Sequence, residues 1–209
     1  MSMRGIDVSV WNDSPNWQAI KDFGIQFVMI RCTMGKSNTD EMFLNHYNGA
    51  RSVGLKVGAY HYSYALTPDD AVIEANHCRD FIASTGCLLE LPVFFDMEDA
   101  DGYKAQHGFY FERNYITSIC KAFIDNLQLR TGVYASESWL NDYIDWRSLG
   151  CPVWNASWIS STAIKANPQL DPEVYYWVDG IKAYMWQFTD SLRIAGKYHD
   201  GNFMYGDQY

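Results

Sequence analysis

The sequence has no long apolar run and no excess of positive charge. None of its hydrophobic stretches approaches the roughly 20 residues that a membrane-spanning helix requires, so we expect no integral membrane segment. The 209 residues include 16 Lys and Arg against 25 Asp and Glu, which gives a net charge of −9. Because nucleic-acid binding depends on Lys and Arg at the phosphates, we expect no nucleic-acid partner.

Cysteine is scarce and irregularly spaced. The five cysteines are odd in number and contain no Cys-x-x-Cys pair, which argues against a disulfide framework. Cys32, Cys78 and Cys120 lie in apolar patterns and are predicted to be buried free thiols.

Several motifs of other enzyme classes are also missing. There is no Gly-x-Ser-x-Gly elbow of a serine hydrolase. A doubly wound open sheet would carry a Gly-rich phosphate turn after its first strand, and none follows Asp7. The histidines are scattered without the spacing of metal ligands, which argues against a zinc-dependent deacetylase. We therefore expect no metal and no cofactor.

No Pro-, Gly- or Ser-rich stretch divides the chain, so we predict one domain over residues 1–209. Apolar strands alternate with amphipathic helices about every 30 residues through the first five strands, which is typical of βαβ units and a parallel sheet. Three more strands follow with little helix between them. We predict an α/β fold, a TIM-like barrel with a degenerate second half, (β/α)5(β)3. The predicted strands are residues 4–9, 26–32, 56–64, 91–96, 132–136, 152–158, 183–188 and 197–203.

Four acidic residues fall at the ends of predicted strands, where a parallel barrel places its chemistry. They are Asp7 on the first strand, Asp96 and Glu98 on the fourth, and Asp200 on the last. Side chains alternate along a strand, so Asp96 and Glu98 share a face, roughly 6.5–7 Å apart. Two carboxyl groups this close cannot both ionise freely, so one keeps a proton near neutral pH. A glycosidase needs such an acid beside a carboxylate, although acidic residues also end strands as helix caps.

Six ordered blocks of the sequence resemble glycoside hydrolase family 25, the lysozymes or N-acetylmuramidases of phage endolysins and bacterial autolysins. The similarity runs from about Arg4 to Asp207. It implies a (β/α)5(β)3 barrel and cleavage of the β-1,4 bond between N-acetylmuramic acid and N-acetylglucosamine in bacterial peptidoglycan. The blocks are residues 5–9 (GIDVS), 27–31 (FVMIR), 54–62 (GLKVGAYHY), 95–98 (FDME), 186–188 (WQF) and 200–202 (DGN).

The resemblance assigns roles to the four acids. Glu98 matches the proton donor, Asp96 its partner carboxylate, and Asp7 the acid of the first strand. Asp200 matches the last acid of the family pattern, and Asp190 is the rival for that place. The Asp-x-Glu geometry is similar to that of substrate-assisted glycosidases, which predicts a retaining reaction with Glu98 as acid and then base. An inverting route, with water activated by Asp7 or Asp200, stays open.

Four further side chains are candidates for substrate binding. Tyr62, Trp158 and Trp186 could each stack on a sugar or pack in the core. Arg31 is expected to support the acidic cluster or to contact substrate at the floor of the site. We predict His61 to be a hydrogen-bonded core residue. Met34 departs from the family pattern, in which an acidic or polar residue often precedes the glycine.

Two alternatives to a muramidase stay open at this point. One is a chitinase-like β-1,4-N-acetylglucosamine hydrolase, and the other is a non-catalytic barrel that binds wall glycan. The expected partner is bacterial peptidoglycan, bound by a monomer. Residues 1–5 lack the apolar core of a signal peptide, so we expect synthesis in the cytoplasm and action at the bacterial cell wall, as a phage endolysin or an exported enzyme.

Overall fold

A computed structural model describes residues 2–159, 177–178 and 181–205 of the chain. Eight strands close into a barrel. A short strand, β3, pairs with the carboxyl-terminal end of β2, and β8 and β9 form a separate two-stranded ribbon. The strands are β1 (Met3–Val8), β2 (Phe27–Met34), β3 (Asn38–Thr39), β4 (Lys56–Tyr62), β5 (Val93–Asp96), β6 (Thr131–Ser136), β7 (Val153–Ala156), β8 (Trp177–Val178), β9 (Ile181–Lys182), β10 (Met185–Ile194) and β11 (Lys197–Met204).

The barrel strands follow the order β1, β2, β4, β5, β6, β7, β10 and β11, and β11 closes back onto β1. Every neighbouring pair from β1 to β10 is parallel, whereas β11 is antiparallel to both β10 and β1. The predicted barrel with a degenerate second half is confirmed. Because β11 is reversed, its first half lies at the same mouth as the carboxyl ends of the other strands. Asp200 therefore reaches the mouth from the first half of its strand, not from its end.

Helices cover the first five barrel strands. Helix α3 shows why they form where they do, since the Thr67 side chain caps its first turn, Pro68 occupies that turn, and Gly86 ends it with a left-handed φ of 67°. The helices are a 3-10 turn (Val10–Asn12), α1 (Trp17–Asp22), α2 (Phe43–Ser52), α3 (Pro68–Thr85), α4 (Tyr103–Gln106), α5 (Arg113–Leu127), α6 (Glu137–Asp142) and α7 (Trp146–Leu149). No helix in these ranges has the length and hydrophobicity to cross a bilayer.

The two faces of each strand pack into different layers. On β5, Phe94 points into the barrel and packs near Trp154, whereas Phe95 points outward and stacks on Phe123 of α5. The interior is so full that a Cβ on Gly5 would lie within 2.3 Å of two atoms of the Phe27 ring. This alternation sends Asp7 and Asp96 inward at the mouth.

Two details differ from what the sequence predicts. Apolar residues at helical spacing predict a long helix over residues 109–129, whereas α5 begins at Arg113, where the Glu112 side chain caps it, and ends at Leu127. Strand β10 continues to Ile194 and turns directly into β11 through Ala195 and Gly196, both with positive φ. The predicted buried thiols are confirmed, since Cys32, Cys78 and Cys120 are free and inaccessible to solvent.

Candidate active site

A cleft of about 280 Å³ opens at the carboxyl-terminal mouth of the barrel. All four acids predicted from the sequence line it, although they come from three different strands and the loop after β5. The lining residues are Asp7, Ser9, Trp11, Asn12, Arg31, Tyr60, Tyr62, Asp96, Glu98, Tyr134, Trp154, Gln187 and Asp200.

Asp7 and Asp200 face each other where β1 meets β11. They are register partners in that antiparallel pair, and their carboxyl groups share a hydrogen bond. Burial raises the pKa of Asp7 to about 6, although hydrogen bonds from Asn202 and Gln187 oppose the rise. Burial, and next the charge of Asp7, raise the pKa of Asp200 to about 9. At neutral pH Asp200 is therefore the protonated partner and donates to the Asp7 carboxylate.

Two amide side chains hold the Asp7 carboxylate from inside the barrel. Asn202 Nδ2 donates to Asp7 Oδ2 at 2.7 Å, and Gln187 Nε2 donates to the same oxygen at 3.0 Å. The indole N–H of Trp154 donates to Asn202 Oδ1 at 2.8 Å, and the Tyr134 hydroxyl donates to Gln187 Oε1 at 3.0 Å. Because an indole N–H can only donate, Trp154 orients the Asn202 amide with its NH₂ group toward Asp7. The network therefore stabilises Asp7 in its ionised form.

Asp96 and Glu98 approach the cleft from the end of β5. Asp96 points into the mouth and is 5% exposed, Met97 is buried in the outer layer, and Glu98 returns to the cleft. Burial, and next the charge of Glu98, raise the pKa of Asp96 well above its usual value. Burial also raises the pKa of Glu98, while the ammonium of Lys104 opposes that rise. The more deeply buried Asp96 therefore holds the proton of the pair more tightly in the free protein.

One carboxylate oxygen of Asp96 has no protein partner. Oδ1 is buried and lacks a hydrogen bond within the described part of the chain. The main chain around it is fully engaged, since Ser63 N donates to Asp96 O at 3.1 Å and Met97 N donates to Tyr134 O at 2.9 Å. Buried polar atoms in native proteins are nearly always paired. An unpaired acceptor in a cleft is therefore suited to accept an N–H or O–H from a bound molecule.

The structure brings three of the four predicted binding residues to the site. Tyr62 and Arg31 line the cleft, and Arg31 Nε bonds Asp40 Oδ2 at 2.9 Å rather than any of the four acids. Trp158 lies at the rim, 56% exposed, and its indole N–H donates to Gln187 Oε1 at 3.0 Å. Trp186 is not brought to the site.

The expectation that Trp186 could stack on substrate requires correction. Its side chain is 5% exposed and packs in the outer layer against Phe188 and Phe203, with its indole N–H bonded to the carbonyl of Ser157 at 2.7 Å. Successive side chains of a strand point to opposite faces. Because Gln187 points into the barrel, its neighbour Trp186 has to point outward.

Two other sequence-based choices can be placed on the structure. Asp190 is exposed on the outer arm of the β10–β11 hairpin, beyond a register irregularity that follows Gln187, and it does not line the cleft. His61 is fully buried, with Nδ1 2.7 Å from Thr33 Oγ1 and Nε2 3.1 Å from Glu74 Oε2, so it is a hydrogen-bonded core residue.

Within the described ranges, no group of three or more His, Cys, Asp or Glu side chains is arranged to hold a metal ion.

Sequence reasoning missed part of the site. It gave no role to Gln187 or Tyr134. Gln187 lies inside one of the matched blocks, and the alternation of apolar residues around it could have predicted that its side chain points into the barrel. Trp11 was also missed, and it lines the cleft with 84% of its side chain exposed. The signal in the sequence is a tryptophan in the turn Val10–Asn12, which closely follows a strand that carries an acid near its end.

Comparison with known proteins supports the fold and identifies the family. The family model for glycosyl hydrolases family 25 matches residues 6–197. The chain is 30% identical over 159 residues to the autolytic lysozyme of Clostridium acetobutylicum, which covers 75% of this chain and 45% of that protein. It is 26% identical over 204 residues to lysozyme M1 of Streptomyces globisporus, covering 93% of this chain and 64% of that protein.

A solved structure shows the same architecture. The family GH25 lysozyme from Aspergillus fumigatus superposes with a TM-score of 0.71 at 22% identity, over 100% of this chain and 96% of that one. The chain spans about half to two thirds of the length of the two curated relatives. The family model covers nearly the whole barrel and includes Asp7, Asp96 and Glu98, although it stops before Asp200. The chain therefore belongs to the glycosyl hydrolases of family 25.

Proposed function

We propose that this chain is a catalytic domain, over residues 1–209, that cleaves the β-1,4 bond between N-acetylmuramic acid and N-acetylglucosamine in bacterial peptidoglycan. Membership of family 25 and the similarity to two proteins named lysozymes support the substrate class. The site of action that follows is the bacterial cell wall.

The unpaired Oδ1 of Asp96 is the observation that carries this proposal. The acetamide of N-acetylmuramic acid has one N–H group and one carbonyl oxygen. If the N–H donates to Asp96 Oδ1, it stabilises the Asp96 carboxylate and lowers its proton affinity. The proton of the pair then moves to Glu98, where the leaving oxygen needs it. Substrate binding therefore prepares the acid.

The reaction follows from that arrangement. Glu98 donates its proton to the glycosidic oxygen while the bond from that oxygen to C1 of the muramic acid breaks. The acetamide carbonyl oxygen attacks C1 from the opposite face and forms an oxazolinium ion, which the Asp96 carboxylate stabilises through the N–H. Water then adds to C1 and gives its proton to Glu98. Two inversions at C1 leave the β-anomer.

Asp7 and Asp200 have a supporting role in this proposal. Together they carry one negative charge at neutral pH, with the proton on Asp200. A protonated Asp200 cannot accept a proton from water, so an inverting route would have to use Asp7. Asp7 is held on one oxygen by two amide donors, which favours a role in holding substrate and balancing charge.

The chemistry of the new reducing ends tests the proposal. Purified walls are digested, reduced with borohydride and hydrolysed, and the sugar alcohols are counted. We expect muramitol, and we expect chitin to stay intact under the same conditions. Glucosaminitol together with chitin cleavage would instead establish the chitinase-like alternative. Tight binding to walls without any new reducing ends would establish a non-catalytic barrel.

A further inference from the structure

Lys104 is a buried cation directly behind the Asp96–Glu98 pair. It lies in α4, the short helix of the loop that follows β5, and its side chain is 1% exposed. The Asp99 carboxylate fixes the start of this helix, accepting from Lys104 N at 2.7 Å and from Ala105 N at 3.0 Å. The Lys104 side chain reaches back to the main chain of Glu98 in the same loop.

The ammonium group of Lys104 is bound mainly by main-chain oxygens. Nζ donates to the carbonyl of Glu98 at 2.6 Å and to the carbonyl of Ser63, which follows β4. It also lies 5.9 Å from the centre of the Tyr62 ring, which lines the cleft. The Lys104 ammonium therefore links the main chain of Glu98, the proposed proton donor, to the end of the neighbouring strand β4.

Burying an ammonium is costly, so its surroundings have to compensate. The carboxyl groups that face Lys104 come from three elements: Asp96 at the end of β5, Glu98 and Asp99 in the loop after it, and Glu74 on α3. Its charge acts on Asp96 and Glu98 in the direction of ionisation. Asp7 and Asp101 also act on Glu98, with the opposite sign.

We propose that Lys104 is a positioning residue for catalysis, which holds the main chain of Glu98 in place and supplies the positive charge that balances the acidic pair. This inference rests on the proposed role of Glu98 as acid and base. The positioning of the Glu98 main chain and the electrostatic effect on the acidic pair can be tested separately. The hydrogen bonds to the two carbonyl groups require an ammonium at this place, whereas the effect on the pKa values of Asp96 and Glu98 requires only a positive charge.

Lys104→Met removes the charge and both hydrogen bonds but keeps an apolar stem of similar length. Without the cation, Asp96 and Glu98 bind protons more tightly, so the pKa of Glu98 rises. We expect both limbs of the pH profile of kcat/KM to move upward by about one pH unit, since both report proton binding to this pair. We also expect kcat to fall by about tenfold or more, because Glu98 is less well held.

Lys104→Arg keeps the charge but not the geometry. We expect both limbs of its pH profile of kcat/KM to match those of the wild type, whereas its kcat should fall. The control is Lys121→Met, the same change at an exposed lysine that pairs with Asp125 on the surface of α5; it should alter neither quantity. If a folded Lys104→Met protein kept both the pH profile of kcat/KM and the kcat of the wild type, the inference would be overturned. If that variant does not fold, wild-type kcat in Lys104→Arg would overturn it equally.

A measurement without substrate separates this inference from the proposed function. The pKa of Glu98 is read by carbon NMR of labelled carboxyl groups in the wild type and in Lys104→Met. An upward shift supports the role of Lys104 even if the protein proves not to cleave peptidoglycan. A pKa of Glu98 that stays fixed or falls contradicts the inference, whatever the activity assays show.

Discussion

Replacing Glu98 by Gln tests the catalytic assignment and the electrostatics of the site in one variant. The amide keeps the size of the side chain but has no acidic proton to give to the glycosidic oxygen. General acid catalysis contributes about 10²–10⁴-fold, and we expect at least this loss in kcat. The lost kcat should appear with little change in the thermal midpoint, because Glu98 is half-buried and only its main chain is tied to Lys104.

The same variant should change the proton affinity of Asp96. The charge of Glu98 raises the pKa of Asp96, so its removal must lower that pKa. The expected change is therefore a fall in the pKa of Asp96, while burial still holds that pKa above its usual value.

Carbon NMR of the Asp carboxyl groups measures this shift directly in the protein without substrate. Asp190→Asn is the matched control, because Asp190 is exposed, lies outside the cleft and should leave Asp96 unchanged. An Asp96 pKa that stays constant or rises in Glu98→Gln would show that the two carboxyl groups do not interact as described. Near-native wall lysis by the folded variant would refute Glu98 as the acid.

Three further outcomes are expected. Between about pH 4 and pH 9, the thermal midpoint of Asp200→Asn should rise relative to that of the wild type. The folded wild type binds the Asp200 proton more tightly than its unfolded chain does, so the wild type loses stability as the pH rises through this range, whereas the variant has no such proton. A difference between the two midpoints that does not depend on pH would contradict this. Trp11→Ala should raise KM by about three- to tenfold with little loss of kcat or stability, since its exposed ring is available to stack on a sugar; an unchanged KM on soluble glycan would remove Trp11 from the binding surface. Early proton NMR spectra of a digest should show the β-anomer first, and the α-anomer first would assign the base to Asp7.

The amino-acid sequence was sufficient to predict the barrel and the place of its acids. Strand and helix periods are local properties, and parallel strands joined by right-handed connections bring all their carboxyl ends to one mouth. Asp7, Asp96 and Glu98 could therefore be assigned to one cleft although they are far apart in the chain. The six matched blocks added the resemblance to family 25, which periodicity alone could not provide.

The second half of the barrel was harder to predict, for a physical reason. Whether Trp186 or Gln187 faces the cleft depends on the phase of one strand, and a one-residue change exchanges the two faces. Both residues are compatible with either face by composition. The direction of β11 was equally undetermined, because it follows from a two-residue hairpin turn at Ala195 and Gly196 that brings Asp200 beside Asp7.

Only the tertiary structure decided how the four carboxyl groups share their protons. Proton affinity depends on burial and on the groups within a few ångströms, and here those groups come from distant parts of the chain. Asn202 reaches Asp7 across 195 positions, and Lys104 reaches the carbonyl of Ser63 across 41. The four acids could be recognised as candidates by their type and position, but the contacts that set their charge arise only when the barrel closes.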